Sequence, residues 1–338
     1  MKIGFVGLGK MGKAIVLHLL EEGLDVVVYN RTQQKVQDLQ KEYEKTRIKN
    51  SEARIMGKRK NISLDSKFMI HDSASTLESS KSISDFLHKI KSPRIIWLMV
   101  LHGRPVDEMI SKLLESGLKK GDILIDGGNS YYLDTKRRFK ALQKSGIHYL
   151  DAGTSGGLEG ARNGACLMIG GEKKIFDKLT SVFRIMSGKS GTYSYFGESG
   201  AGHFVKMVHN GVEYGMLQAI GEGFELLAKG PYNLNLHEVA KNWTKGSVVR
   251  GWLMDLLLRA LEKDSKLLKI EGVIGGGETG EWTLKEAKKF KVSMPVLSMS
   301  TQARKNSLAK PNFSGKVIAA LRNEFGGHDI TKTNNREH

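Results

Sequence analysis

The chain has 338 residues, of which 40% are apolar and 26% charged, with one cysteine and a formal net charge of +17. That length carries two domains, each with its own core, and the composition is that of a globular protein rather than a disordered or fibrous one. A lone Cys166 inside "ACLMIGG" excludes an internal disulfide framework, suits a reducing cytosol and reads as a buried strand residue, not a nucleophile.

The N-terminus "MKIGFVGLGKMG" is no signal peptide, and the richest apolar run, "WLMDLLLRAL" (252–261), is too short and too charged for a bilayer. "KIGFVG", "DVVVYN", "RIIWLMV", "DILID", "HYLDAG" and "CLMIGG" read as strands, several of them apolar on both faces. Alternating with helical patterns, they predict a doubly wound α/β sheet of Rossmann type over 1–178. The segment 41–72 interrupts that pattern as a basic insertion, read as a surface loop with some helix. Its excess of Lys and Arg fits nucleic acid or the attraction of small anions. Without interleaved aromatics or a recognition motif a solvated loop is preferred, so no nucleic-acid partner is expected. From about 200 onward strand signals vanish, and helical patterns at 201–229, 236–262, 283–308 and 314–325 predict an all-helical domain, 179–328, ahead of a frayed polar tail, 329–338.

Several loops carry chemistry. "GLGKMG" (Gly7, Leu8, Gly9, Lys10, Met11, Gly12) follows one strand, opens a helix and precedes a second strand, the context in which G-x-G-x-x-G cradles a dinucleotide pyrophosphate. At the end of that second strand stand Asn30, Arg31 and Thr32, where a site for NAD expects Asp or Glu. Without a carboxylate to repel a 2′-phosphate, and with Arg31 able to clamp it, NADP is favoured and NAD is the alternative. Neither cofactor calls for a metal, and none of the Cys and His spacings is that of a metal site. "DGGNS" (126–130) and "TSGGLEGARNG" (154–164) follow later strands and place Asn129 and Ser155-Gly156-Gly157 at the carboxyl ends, where ligands of such sheets bind.

"GHFVKMVHNGVEYG" (202–215) sets Lys206, His209, Asn210 and Glu213 at i, i+3, i+4 and i+7, one stripe of a helix. A repeating solvated face would use Glu and Lys; this stripe mixes a base, an acid, an imidazole and an amide. Gly211 and Gly215 each cost about 1 kcal/mol in a helix interior, which makes sense where close packing holds the helix.

These motifs, with "GEW" before Thr283, "AR" at 303–304 and "LRNEFGGH" (321–328), resemble the 6-phosphogluconate dehydrogenase (decarboxylating) family, in its short form, from residue 3 to 328. The resemblance implies oxidative decarboxylation of 6-phosphogluconate to ribulose 5-phosphate and CO2 in the cytoplasm, within the pentose phosphate pathway and gluconate utilisation. It implies Lys206 as general base and acid and Glu213 as second acid. Asn129, Ser155, Gly156, Gly157, His209 and Asn210 would hold the sugar acid, and Tyr214, Thr283, Arg304 and Arg322 its phosphate. In the family the C-terminal Arg and His, here Arg322 and His328, reach into the neighbouring subunit's site, which implies a homodimer or homotetramer. Three features depart from the pattern: Glu281 where long-form members carry a phosphate-binding Lys, the loop "VLHGRP" (100–105), and the basic insertion. Glu281 either turns away or lowers phosphate affinity.

The chemistry explains the stripe. Oxidising the C3 alcohol of a 3-hydroxy acid needs a base for its proton. The β-keto acid then loses CO2 without metal if a cation stabilises the enolate, and the enediol needs a proton at C1 from a different group. A lysine that loses its proton near neutrality and a carboxyl that holds one meet these needs, given burial and neighbouring charge. A non-decarboxylating β-hydroxyacid dehydrogenase, the alternative, has no use for Glu213.

Overall fold

The computed structural model describes residues 1–59 and 75–332. In chain order the first part comprises β1 (Lys2–Val6), α1 (Lys10–Glu21), β2 (Asp25–Tyr29), α2 (Gln33–Arg59), β3 (Leu77–Ser79), α3 (Ile83–His88), β4 (Ile95–Leu98), α4 (Arg104–Glu115), β5 (Ile123–Asp126) and α5 (Tyr132–Lys144). There follow β6 (His148–Ser155), α6 (Gly157–Asn163), β7 (Cys166–Gly170), α7 (Lys173–Lys178), α8 (Thr180–Ser187) and β8 (Thr192–Gly197). The remainder is helical: α9 (Ala201–Lys229), α10 (Leu236–Trp243), α11 (Trp252–Lys263), α12 (Glu278–Lys289), α13 (Pro295–Ala309) and α14 (Phe313–Gly326).

The strands form one sheet in the order β3-β2-β1-β4-β5-β6-β7-β8, parallel except that β7 runs antiparallel to β6. Successive residues of each strand enter opposite cores, as a sheet buried on both faces requires. Ile3, Phe5, Val26, Val28, Trp97, Ile125 and Leu150 join one core with α1 and α8, while Val27, Ile96, Leu98, Leu124 and Tyr149 join the other with α3 and α4. The helical part has its own core, including Leu217, Phe224, Leu257, Val317 and Leu321. The architecture expected from the sequence, a Rossmann-type sheet followed by helices, is the one observed.

Several details differ. The chain divides into compact units Met1–Lys206 and Met207–His338, whereas the boundary was expected at 178. The first unit extends further because β8 joins the sheet and α8 packs into its core: Tyr193 and Tyr195 of β8 pack around Phe176 of α7 at 6.3 and 5.2 Å between ring centroids. The strand signal there, "TYSYFG", is a plain period-two alternation. Up to Arg59 the basic insertion is not a loop but the continuation of α2, whose Gln, Lys and Glu are strong helix formers and whose Val36 and Leu39 anchor it to the core; 60–72 lies outside the described residues. The expected helix 236–262 is broken after Trp243 by "TKGSVVRG", and 283–308 is broken before Pro295, which cannot donate within a helix. Cys166 is half-buried at the start of β7. Part of the expected tail is ordered: the Glu271 amide donates to the Thr331 carbonyl at 3.0 Å and Ile270 bridges Lys332, and 333–338 lies outside the described residues. No helix among the described residues is long and apolar enough to cross a membrane.

Candidate active site

The dinucleotide cradle lies at the carboxyl end of β1, beside the β1–β4 switch in strand order. Gly7 has φ +101, and a Cβ there would strike the Met99 carbonyl; a Cβ on Gly12 would strike the Gly7 carbonyl. Gly9, by contrast, faces open space and caps α1 with no side-chain hydrogen bond, which leaves the helix N-terminal amides to a ligand. The Leu8 amide donates to Asn30 Oδ1 at 2.9 Å, and Asn30 Nδ2 donates to the Thr32 carbonyl at 2.9 Å, so Asn30 splices the glycine loop to the end of β2. Lys10, Arg31 and Thr32 are exposed, Met11 is half-buried, and Arg31 has no carboxylate partner among the described residues. An open, uncapped helix start flanked by a glycine-only approach fits a dinucleotide.

Two buried aspartates organise the next two strand ends. Asp126 and Asp151 are register partners on β5 and β6, both 0% exposed. Asp126 accepts from the Gly128 amide (3.1 Å), Ser130 Oγ (2.7 Å) and Tyr149 Oη (2.9 Å), fixing the loop that presents Asn129, whose side chain is exposed. Burial first, then Asp126, push the Tyr149 hydroxyl well above its ordinary value. Arg138 closes this network, donating to Asp107 from Nε at 2.8 Å and to the Gly103 carbonyl at 3.0 Å; it thereby steadies the loop 100–105. Burial would raise the Asp107 carboxyl, but the Arg138 and Arg137 hydrogen bonds outweigh it and hold it low.

Asp151 accepts from the Gly200 amide and the His203 amide, each at 2.8 Å, at the start of α9. Two residues on along the same face of β6, a Cβ on Gly153 would overlap Lys206 Cβ and Cγ. Lys206 is therefore seated directly on the strand and is 7% exposed. Ser155, two residues further, is half-buried, and Gly156 (φ +112) and Gly157 (φ +59) turn the chain into α6.

Along α9 two members of the polar stripe, Lys206 and Asn210, are buried. Asn210 is 7% exposed while Val212 and Met216 are 55% and 50% exposed. A Cβ on Gly211 would press on Thr283 and Leu297 at 3.0 and 3.1 Å, so the glycine does seat the helix closely. His209 Nδ1 lies 3.3 Å from Asn210 Oδ1, and Glu213 is half-buried.

In the helical unit, the Arg304 guanidinium lies over the Tyr214 ring, 3.6 Å from its centroid, and donates to the Gly275 carbonyl at 3.1 Å. Tyr214 Oη is 3.1 Å from Thr279 Oγ1, and the Thr283 hydroxyl is turned to the Met207 and Thr279 carbonyls at 2.9 and 2.8 Å. Arg322 reaches the same glycine segment: a Cβ on Gly276 would stand 3.0 Å from Arg322 Nη2. Burial lowers Arg304 to about 10, with Tyr214 and Glu213 opposing and Arg322 adding to the effect; burial likewise lowers Arg322, against Tyr214 and Glu213. Among the described residues neither guanidinium has a carboxylate within ion-pair distance. Within the single chain, Arg322 lies beside Arg304 and Tyr214. His328 is exposed just past α14, with its ring edge-on to Phe325 at 6.0 Å. Glu281 turns outward and pairs with Lys305 at 2.8 Å, an exposed pair.

The comparisons decide the family. Residues 2–197 match the NAD binding domain of 6-phosphogluconate dehydrogenase, and 202–316 match the 6-phosphogluconate dehydrogenase C-terminal domain. The chain belongs to the 6-phosphogluconate dehydrogenase family. It is an oxidoreductase fold with an NAD(P)-binding domain. The Bacillus subtilis protein YqeC, provisionally named a 6-phosphogluconate dehydrogenase, is 40% identical over 98% of this chain and 100% of its own length. An NAD(+)-dependent, decarboxylating 6-phosphogluconate dehydrogenase of Haloferax volcanii is 36% identical over 98% of this chain and 99% of its own. A longer Bacillus subtilis member, NADP(+)-dependent and decarboxylating, is 36% identical but is covered over only 60% of its length. The solved Plasmodium falciparum 6-phosphogluconate dehydrogenase superposes with a TM-score of 0.76 at 28% identity, over 100% of this chain and 67% of that one.

Sequence reading missed Asp126, Asp151, Arg138 and Gly153. The available signal was an acid closing each of two apolar runs, "LID" and "YLD". Gly153→Ala is expected to lower the unfolding free energy by about 1–3 kcal/mol through overpacking. Urea denaturation measures this, and an unchanged midpoint would mean that α9 and β6 can part without loss.

Proposed function

We propose that the protein oxidises and decarboxylates 6-phosphogluconate to ribulose 5-phosphate and CO2, with NADP preferred over NAD. The observation that carries this reading is the arginine pair beside Tyr214, Arg304 buried and Arg322 half-buried, for which Glu213 is the one carboxylate acting on both guanidiniums among the described residues. Two desolvated cations packed together favour an anion, and a sugar-acid phosphate is such a group. For the cofactor, the exposed Arg31 and Thr32 at the end of β2, with Asn30 in place of an acid, suit a 2′-phosphate.

The bound dinucleotide supplies the hydride acceptor. Lys206 takes the C3 hydroxyl proton as C3 becomes a ketone. As an ammonium it then stabilises the oxygen on which charge develops when the C1 carboxylate leaves as CO2. Glu213, two turns along α9 and roughly 10 Å away along the axis, gives the proton that C1 needs. Asn129, Ser155, Gly156, Gly157, His209 and Asn210 hold the sugar acid; Tyr214, Thr283, Arg304 and Arg322 hold the phosphate, for which the Thr283 hydroxyl must rotate away from the backbone. On this reading the protein is a cytoplasmic enzyme of the pentose phosphate pathway.

Nicotinamide reduction with 6-phosphogluconate, followed with NADP and NAD in parallel while CO2 is trapped, tests the reading. Reduction without CO2 would point to the simpler β-hydroxyacid oxidation. Lys206→Ala is expected to abolish oxidation, while Glu213→Gln slows release of the final product more than nicotinamide reduction. Equal loss of both partial reactions would contradict that division.

Two further outcomes follow from the arginine pair. Anion binding favours charged Arg304, whose value is lowered to about 10, so affinity for the inorganic phosphate dianion falls as pH rises through that value. Calorimetric titration on both sides of that pH reads the change. If Arg322 serves its own chain, co-expressing Arg304→Ala and Arg322→Ala chains yields no active mixed oligomers. Recovered activity would instead show that Arg322 acts across subunits.

A further inference from the structure

Helix α9 starts at Ala201, and its N-terminal amides need acceptors from outside the helix. In a capping box the helix supplies these itself, through the side chains at the cap and at the third helical position. Here the cap is Gly200 (φ +94), which has no side chain, and the third position is His203, whose ring is engaged elsewhere: its Nδ1 lies 2.7 Å from Thr135 Oγ1 of α5. Both donors go to one carboxylate on the sheet, Asp151, one oxygen to each amide at 2.8 Å. The carboxylate itself is wedged: a Cβ on its register partner Gly170 would stand 2.8 Å from both Asp151 oxygens and 2.8 Å from the Gly202 amide. On the same face of β6, Gly153 meets Lys206 and Ser155 follows. The strand thus fixes α9 at two heights, by hydrogen bonds at Asp151 and by steric contact at Gly153, and the second of these heights is Lys206.

We infer that Asp151 is a positioning residue for Lys206: by clamping the Gly200 and His203 amides it sets the depth and rotation of α9, and so the place of the amine. This rests on the reading of Lys206 as the base. Asp151 also sets the field the amine feels, because an anion at a helix N-terminus offsets the partial positive charge there. The charged and titratable groups around Asp151 are His203 of α9, Asp126 of β5 and Tyr149 of β6. Burial pushes the Asp151 carboxyl up, against His203 and the two amides.

Asp151→Asn keeps the shape but offers one acceptor and sets its own NH2 against the other amide. With the full-length enzyme, kcat is expected to fall about ten- to a hundredfold, as for a displaced catalytic group, while KM for 6-phosphogluconate and for the dinucleotide stays within about twofold of wild type. The acid limb of the kcat profile should move to lower pH, because the helix N-terminus is left uncompensated. Unchanged kcat per folded molecule, with only a lower melting temperature, would overturn the inference; so would lowered kcat with an unmoved acid limb. A second readout needs no turnover: NMR of ε-13C-lysine protein, with the Lys206 signal assigned through Lys206→Arg, follows that amine in wild type and Asp151→Asn. A shift of its titration to lower pH is expected, and identical titrations refute the positioning role. Should wild type not turn over 6-phosphogluconate, the proposed reaction fails while this measurement still judges Asp151.

Discussion

The first turn of α9 can lie against the sheet only because its free amides find an acceptor there. Left unmade in a buried place, each would cost about 1–3 kcal/mol, and a helix that started elsewhere would carry Lys206 with it. Asp151 meets two of them at once, and glycine at 153, 170 and 202 removes the side chains that would hold the backbones apart. A Cβ at Gly202 would strike the Met168 carbonyl, so no residue with a side chain allows the same approach. Hydrogen bonding fixes the register and the glycines fix the distance; neither alone would do both. The neighbouring strand repeats the device in simpler form, with Asp126 holding the Asn129 loop through the Gly128 amide and the Ser130 hydroxyl.

The chain handles anions in two physically different ways. At the end of β1, backbone amides at an uncapped helix start provide partial charge that is permanent and costs no desolvation of a side chain. In the helical unit the means is full charge: two guanidiniums, Arg322 half-buried and Arg304 buried and held over a tyrosine ring, a contact worth up to roughly 2 kcal/mol when desolvated. Burial opposes both cations, as the lowering of Arg304 to about 10 shows. An arrangement of this kind weakens the empty protein and is relieved when an anion arrives, a trade of stability for binding expected at functional places and not in a core. Glu281 leaves the balance undisturbed because it points outward to Lys305.

Much of this was legible in the sequence where the cause is local. "GLGKMG" between two strand patterns, apolar runs buried on both faces, and a 29-residue helix at 201–229 follow from short-range sterics and periodicity. The three-residue β3 was not legible because a segment so short has no period to detect. The breaks at Trp243 and Pro295 were lost because the apolar spacing on either side continues in phase. Asp151 and Arg138 were invisible for another reason: the groups they clamp lie tens of residues away; Asp126 holds Gly128 and Ser130 close by, but nothing in the sequence distinguishes such a clamp from any strand-end turn acid. Arg322 was legible only through resemblance, and its position beside Arg304 was not legible at all.

Helix α9 shows the limit most sharply. Its spacing separates a polar face from an apolar one, and the ordinary expectation turns the apolar face inward. The structure departs from this over the turns from Lys206 to Met216: Lys206 and Asn210 are each 7% exposed and lie buried with Met207 and Tyr214, while Val212 and Met216 are about half exposed. Periodicity cannot distinguish these orientations, because it is unchanged when the helix rotates by half a turn. What does distinguish them is the placement of glycine. Gly202 and Gly153 mark where α9 meets the sheet, and Gly211 marks where it meets Thr283 and Leu297, so the close contacts set the rotation and the polar stripe follows. Burying an amine and an amide in this way opposes folding unless their polar atoms are met. A segment that accepts this cost, and gives up helix propensity at its glycines to do so, is shaped by what its polar face must hold.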